Sequence, residues 1–283
     1  MALPSYAGPV ERIWYYSYRV ACGAIFVFLI APILVVIPLS FNSVPFFTFT
    51  PEMLSFDPAG YSLRWYRDFL NNPQWIHSLQ NSFIIAIAST ILSTTLGTLA
   101  ALGLSRPYTP YKSVIMGILI SPMIVPLIIS ATGMFFFYTS IGLAQTHLGI
   151  ILAHTALGTP FVVITVTATL VGFDQSLIRA AQNLGAAPTT VFFRVIMPLI
   201  LPGVISGGLF AFITSFDEVV VVLFLADFDQ RTIPLQMFSG LREQISPTIL
   251  AVATLLVLIS VLLLTTLELL RRRSERLRGL SPQ

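Results

Sequence analysis

The sequence predicts an all-α membrane protein with six transmembrane helices. Hydrophobic residues make up 55% of the 283-residue chain and charged residues only 10%, whereas soluble domains contain roughly 25% charged residues. Apolar stretches recur along the chain, each about 20 residues or longer, which is the length that an α-helix needs to cross a bilayer. The basic residues lie between these stretches and form no continuous face. The net charge of +3 therefore does not indicate a nucleic-acid partner. The positions of the basic residues instead bear on the orientation of the chain in the membrane.

The predicted spans follow one another with mostly short polar connections. We expect an N-terminal segment, six spans and a basic tail, at residues 1–19, then 20–41, 79–104, 113–137, 148–172, 199–225 and 248–270, then 271–283. The first apolar run is longer than the core of a signal peptide and is followed by no small-residue cleavage site. We therefore interpret it as a retained span.

Basic residues are distributed unequally between the two sides of the predicted membrane. Eleven lie on one side and four on the other, and the side with more Lys and Arg is usually cytoplasmic. Both termini and the polar connection at residues 174–198 are therefore expected in the cytoplasm. The aromatic-rich connection after the first span is expected outside, with a short helix at residues 61–70 that presents Leu63, Tyr66 and Leu70 on one face.

The search for catalytic or metal-binding motifs is negative. The chain has no Gly-x4-Gly-Lys-Ser/Thr phosphate loop and no Gly-x-Ser-x-Gly nucleophile elbow. Its three histidines, His77, His147 and His154, lack the spacing of a metal site. We expect no catalytic residue, metal or cofactor in this chain, so any ATP would be bound by another subunit.

The connection at residues 174–198 is predicted to form two short helices joined by an elbow. Ser176 is suited to cap a helix over residues 177–184, which Gly185 ends because glycine tolerates the left-handed conformation of a helix C-terminus. A second helix is expected to start at Ala187-Pro188 and to run to Ile196, after which Pro198 and Pro202 change its direction.

The two short helices are also predicted to offer a docking surface. Ala180 and Ala181 form a shallow face beside the charge of Arg179. Phe192, Phe193, and Val195 on the second helix supply apolar anchors for a soluble partner.

The spacing Ala180-Ala181-x3-Gly185-x9-Val195-x-Met197-Pro198 resembles the EAA loop of bacterial ABC importer permeases. Arg179 stands where that family usually has Glu. The resemblance implies a coupling helix that docks into a groove of a separate ATPase. The coupling residues implied by it are Arg179, Ala180, Ala181, Gly185, Ala186, Phe192 and Pro198.

The second polar feature is the pair Asp217-Glu218, next to Phe216 in the predicted fifth span. Ionised acids within a bilayer are costly and usually face a cavity or a partner. Adjacent residues of a helix point about 100° apart, so one acid is expected to face a pathway while the other pairs with a neighbouring span. A purely structural role, in capping or bridging helices, is the alternative.

Four further segments resemble spermidine/putrescine-type permease subunits: Ser215-Phe-Asp-Glu-Val-Val220, Arg231-Thr-Ile-Pro-Leu-Gln-Met237, Ile245-Ser-Pro-Thr248 and Leu63-Arg-Trp-Tyr66. The resemblance implies a type I importer permease fold in a bacterial inner membrane. It also implies a polyamine or a related small cationic or amino-acid-like solute, with Phe216, Asp217 and Glu218 on its pathway. The implied partners are a second permease, two cytoplasmic ATPase subunits that bind ATP and Mg, an external solute-binding protein and membrane lipid.

Two other function classes remain open at this point. A secondary transporter would use an ion gradient, with Asp217 or Glu218 as its proton or sodium site. A membrane scaffold would move no solute.

Overall fold

The computed structural model describes residues 8–106, 108–243 and 246–277. Residues 1–7 of the predicted N-terminal segment and 278–283 of the predicted tail lie outside these ranges. The regular elements of the described ranges are helices, and one isolated antiparallel bridge joins Asn42 to Tyr61. The α-helices of this part of the chain are α1 Pro9–Leu39, α2 Pro51–Leu54, α3 Arg64–Asn71, α4 Pro73–Leu104, α5 Lys112–Ile124, α6 Leu127–Ser140, α7 His147–Val171, α8 Ser176–Asn183, α9 Pro188–Val191, α10 Met197–Phe216, α11 Val220–Leu225, α12 Ile233–Glu243 and α13 Thr248–Leu277.

Residues 73–239 form one compact unit, in which the long helices α4, α7 and α10 pack against one another. Glycines line their contacts. A Cβ atom added to Gly97 would lie 2.7 Å from the Cβ of Val162, and one added to Gly158 would lie 2.8 Å from Ser93 Oγ. Small residues of this kind let helices approach closely where the surrounding lipid is as apolar as the side chains.

An apolar cluster at one end of this unit holds the short helix α11 in place. Val221, Val222 and Leu225 of α11 are buried in this cluster together with Ile150 and Leu157 of α7. Full burial of such a side chain contributes roughly 1.5–3 kcal/mol. The position of α11 is therefore fixed by packing as well as by its own backbone hydrogen bonds.

The described residues up to Asn72 and from Gly240 onward form a second compact unit. In this unit α3 buries Trp65 and Phe69, whereas Leu63 and Leu70 are 54% and 62% exposed. The predicted helix at residues 61–70 is thus observed as Arg64–Asn71, with the two leucines exposed and a second face, not identified from the sequence, packed into the unit. The large rings bury more area than the leucines, and Trp65 Nε1 donates a 2.7 Å hydrogen bond to the carbonyl of Asn42.

In the described part of the chain, four helices are long and apolar enough to cross a membrane: α1, α4, α7 and a continuous helix over residues 188–216. A fifth crossing requires α5 and α6 to act together, although they are bent by 102°. The bend divides the predicted third span, residues 113–137, because Val125 precedes a proline and takes an extended backbone (φ −69°, ψ 132°). Within α13 the apolar stretch is Thr248–Leu262.

Candidate functional site

The loop between α7 and α10 begins with a hydrogen-bonded turn at Asp174. The Ser176 amide donates to Asp174 Oδ1 at 2.8 Å, and the Ser176 hydroxyl donates to Asp174 Oδ2 at 2.7 Å. These two bonds lower the pKa of the Asp174 carboxyl. We expected Ser176 to be the capping residue, but it is the first residue of α8, and the acceptor is Asp174 because a carboxylate offers two oxygens to the free N–H and O–H groups.

The first short helix ends at Gly185, as predicted. Gly185 has φ +80°, and its amide donates to the carbonyl of Gln182 at 2.9 Å. The Ala186 amide donates to the carbonyl of Ala181 at 3.1 Å. This pair of bonds is a Schellman motif, which satisfies the last carbonyls of a helix and needs a residue in the left-handed conformation.

The exposed face of α8 differs in part from the predicted docking face. Arg179 and Ala180 are exposed, but Ala181 is half-buried, because it lies on the side of the helix that carries the Schellman contact with Ala186. Leu184 is 88% exposed and Leu177 is 43% exposed. Prediction from sequence missed these two leucines, although their apolar character in a polar loop was visible.

The second short helix continues into the membrane helix. α9 is followed by a π-helical turn, Phe192–Ile196, in which the Met197 amide reaches the carbonyl of Phe192. We expected the chain to change direction at Pro198, but residues 188–216 form one helix. In a regular α-helix the ring of Pro198 would meet the carbonyl of Arg194, and the wider π turn accommodates it. Phe192 is half-buried, and Phe193, at 63% exposed, adds an apolar side chain beside α8.

The predicted fifth span, residues 199–225, is interrupted at the acid pair. α10 ends at Phe216, Asp217 follows as its C-cap, and α11 begins at Val220. Asp217 is exposed, whereas Glu218 is buried and its Oε1 accepts a 2.9 Å hydrogen bond from the Val221 amide. The two acids therefore differ because Glu218 caps a new helix, and not because they occupy two faces of one helix.

Aromatic rings surround the end of α10 beside Asp217. The ring of Phe216 meets Phe83 of α4 edge to face at 5.4 Å and stacks on Phe212 at 5.6 Å. All three rings are half-buried. Faces of aromatic rings attract ammonium groups, so rings beside a carboxylate form a suitable environment for an organic cation. Phe83 and Phe212 had not been identified from the sequence.

A buried polar chain crosses the three-helix core through Ser215, two residues before Asp217. His154 Nδ1 lies 2.8 Å from Ser215 Oγ, which lies 2.9 Å from Ser89 Oγ. A separate polar group joins His147 Nε2 to Asn81 Oδ1 at 3.0 Å. His147 and His154 thus belong to different networks. In the part of the chain that the structure describes, no three His, Cys, Asp or Glu residues come together as a metal site.

Asn81 also anchors the segment between α11 and α12. Its amide nitrogen donates to the carbonyls of Asp229 at 2.8 Å and Arg231 at 3.0 Å. His77 Nε2 lies 2.9 Å from the same carbonyl of Asp229. These bonds satisfy backbone carbonyls at and just after the 3-10 helix Phe228–Gln230 in this connection.

Curated proteins resemble this chain over most of its length. "Spermidine/putrescine transport system permease protein PotC" of Haemophilus influenzae is 30% identical over 251 residues, which cover 89% of this chain and 95% of that protein. "Putrescine transport system permease protein PotI" of Escherichia coli strain K12 is 32% identical over 238 residues, which cover 82% of each chain.

Solved structures share the fold at lower identity. A chain from a bacterial ABC transporter involved in the import of the acidic polysaccharide alginate matches with a TM-score of 0.73 at 16% identity, over 94% of this chain and 99% of that chain. A chain from the MetNI methionine ABC transporter, in an inward-facing conformation, matches with a TM-score of 0.56 at 19% identity, over 70% of this chain and 94% of that one. The predicted all-α importer permease fold is thereby confirmed.

One family model matches the part of the chain that contains the loop and the acid pair, together with most of the glycine-lined helices. Residues 93–276 match the family described as "Binding-protein-dependent transport system inner membrane component". This range is well over half of the chain, and the relatives reach 30% identity over most of it. The protein therefore belongs to the family of inner-membrane components of binding-protein-dependent transport systems.

Proposed function

We propose that this chain is one of two permease subunits of an ATP-driven importer for polyamines or related small organic cations. The loop between α7 and α10 is the observation that carries the proposal. An otherwise apolar chain exposes Arg179, Ala180 and Leu184 on a short helix whose two ends are capped by its own residues. A short exposed helix of this kind is suited to dock into a groove on another protein.

The loop is mechanically connected to the membrane helices. Residues 188–216 form one continuous helix, and Val191 at its start is buried. A displacement of α8 would therefore be transmitted along α10 towards Phe216 and Asp217. We propose that two cytoplasmic ATPase subunits bind ATP and Mg, close together and move the docked loops, and that this movement opens the pathway alternately to each side.

The end of α10 suits a cationic solute. Asp217 follows Phe216 and is exposed, and an exposed carboxylate at the end of a membrane helix is costly unless it faces water or a partner. A second permease subunit, either a homologue or another copy, would cover this side and enclose the pathway. The names of the relatives, which refer to spermidine and putrescine, support a polyamine as the solute.

Uptake into proteoliposomes tests this function. The chain is reconstituted with its partner permease and ATPase subunits, ATP is enclosed in the lumen, and the external binding protein is added with labelled putrescine or spermidine. We expect accumulation that needs hydrolysable ATP and the binding protein and that is unaffected by ionophores. A non-hydrolysable ATP analogue is the control.

Two results would contradict the proposal. Uptake that persists without ATP but collapses when ionophores remove the ion gradient would identify a secondary transporter, with Asp217 or Glu218 as its ion site. Absence of both uptake and solute-stimulated ATP hydrolysis would identify a scaffold.

A further inference from the structure

A cavity outside the transport site opens beside α3, in the unit that contains the N-terminal helices. Its volume is about 470 Å³. Two guanidinium groups stand on its wall, and the remaining lining is aromatic, aliphatic or hydroxyl. The lining residues are Phe41, Tyr61, Ser62, Leu63, Arg64 and Arg67.

The backbone around this cavity is held in place by buried hydrogen bonds. The Ser62 amide donates to the carbonyl of Phe41 at 2.7 Å, and the Ser43 amide donates to the carbonyl of Gly60 at 3.0 Å. Asn42 between them is fully buried and uses its side-chain amide to bind the carbonyls of Phe46 and Thr48. The cavity is therefore built on a fixed framework.

The two arginines are positioned for an anion from outside this chain. They are three residues apart on α3 and so share one face of the helix. Arg64 stacks on Trp65, with its guanidinium carbon 4.0 Å from the ring centroid, and donates to the carbonyl of Ser43 at 3.3 Å. This leaves most of its five N–H donors available.

No acid of the described residues neutralises this pair. Asp68, which follows Arg67 directly, accepts a 2.7 Å hydrogen bond from the Thr248 hydroxyl. Neither arginine has an ion pair with a carboxylate in the part of the chain that the structure describes. No carboxylate is among the residues that line the cavity, so its charged groups are the two guanidinium groups.

Exposed aliphatic side chains accompany the two arginines along α3. Leu63, which lines the cavity, is 54% exposed, and Leu70, three residues after Arg67, is 62% exposed. Exposed aliphatic and aromatic side chains beside arginines are typical of residues at the level of lipid headgroups, where the apolar part meets the acyl chains and the charge meets the phosphate. A surface that binds an acidic soluble protein would not need exposed apolar side chains beside the arginines, so these side chains favour a lipid.

We propose that the cavity binds the phosphate ester of a phospholipid headgroup between Arg64 and Arg67, with the acyl chains along the neighbouring apolar side chains. Arginine forms bidentate hydrogen bonds with phosphate oxygens. The cavity is wide enough for a headgroup, and the stacking of Arg64 on Trp65 reduces the entropy lost when its guanidinium is fixed. This inference does not depend on which solute the protein carries.

Native mass spectrometry of the delipidated protein tests the site. Dioleoylphosphatidylglycerol is titrated against dioleoylglycerol, which has the same chains without the phosphate, and against soluble glycerol phosphate. The variant Arg64→Gln/Arg67→Gln is compared with Arg231→Gln/Arg242→Gln, which removes two arginines elsewhere. Since one arginine near a membrane surface contributes roughly a fivefold factor in binding, we expect the first variant to bind phosphatidylglycerol roughly 25-fold more weakly.

The expected result includes unchanged binding in the control variant and no comparable binding of dioleoylglycerol. Arg64→Lys/Arg67→Lys keeps both charges and should retain most of the binding, which guards against a folding defect in the Gln variant. Equal losses in both Gln variants, an undiminished affinity in Arg64→Gln/Arg67→Gln, or binding of soluble glycerol phosphate as tight as that of the lipid would each overturn the lipid site.

Discussion

At the scale of single residues, Gly185 occupies a backbone conformation that few residue types other than glycine adopt without strain. Its φ is +80°, and a Cβ atom added there would meet nothing within 4 Å. The strain of a substitution is therefore conformational and not steric, about 1–2 kcal/mol for an ordinary residue and more for a β-branched one. A substituted residue would distort the elbow while leaving the surrounding packing intact.

We accordingly expect Gly185→Val to lower solute-stimulated ATP hydrolysis and uptake severalfold while the protein still inserts and purifies normally. Gly172→Val is the matched control, because Gly172 has φ −89° and an equally open surrounding. The two variants are compared by uptake and by co-purification of the ATPase. Equal activity in both would remove the elbow from the coupling mechanism.

The acid pair leads to a second prediction, because Asp217 is exposed and Glu218 is a buried cap. Asp217→Asn should slow uptake of a cationic solute severalfold without changing the thermal unfolding temperature.

Glu218→Ala should instead destabilise the protein by about 1 kcal/mol, the usual loss for a removed helix cap. Glu218→Gln retains an acceptor oxygen and should recover most of that stability. Thermal unfolding in detergent and uptake in proteoliposomes separate the two roles; a pair of variants with the same defect would contradict the distinction.

At the scale of helices, α7 and α10 approach through glycines. A Cβ atom on Gly207 would lie 2.7 Å from the Cα of Val162, and one on Gly203 would lie 3.0 Å from the carbonyl oxygen of Thr165. These neighbours are backbone atoms, so the helices themselves would have to separate. Close packing of this kind stabilises helix pairs where burial from water is not available.

Gly207→Ala should therefore lower the unfolding temperature measurably. Gly103→Ala is the control, since a Cβ on Gly103 meets nothing within 4 Å and alanine is favoured over glycine in a helix by up to about 1 kcal/mol. A scan in detergent should show a decrease for the first variant and no decrease for the second. The same unfolding temperature in both would mean that the contact contributes nothing.

Sequence patterns predicted some of these elements and not others. Gly185 was identifiable because only a few residues accept a left-handed backbone. The break after Phe216 contains neither glycine nor proline. It depends on the carboxylate of Glu218 binding the Val221 amide and on the burial of α11, and both are tertiary effects. Similarly, the buried face of α3 was set by the bond from Trp65 to Asn42, which no periodicity reveals.

At the scale of the whole molecule, the isolated chain leaves surfaces that require partners. None of the residues of α5 is buried, and the carboxylate of Asp217 is exposed at the end of a membrane helix. Lipid can cover the first surface but not the second. The loop at residues 174–187 and Asp217 lie at opposite ends of the continuous helix 188–216, so under the proposed mechanism a movement of the loop should alter the surroundings of Asp217.

The last prediction concerns the accessibility of residue 217 during the transport cycle. Cys22 is the only cysteine, so Asp217→Cys in a Cys22→Ser background gives one reporter thiol. In the assembled complex, a membrane-impermeant thiol reagent applied from outside should label it faster when ATP is trapped than in the nucleotide-free state. Tyr108→Cys, at a 95% exposed position in a connection expected on the cytoplasmic side, should remain unlabelled from outside in both states and verify the membrane barrier. Equal labelling rates of residue 217 in both states would contradict the proposed connection between the loop and the pathway, because movement of α8 would then not change the accessibility of residue 217.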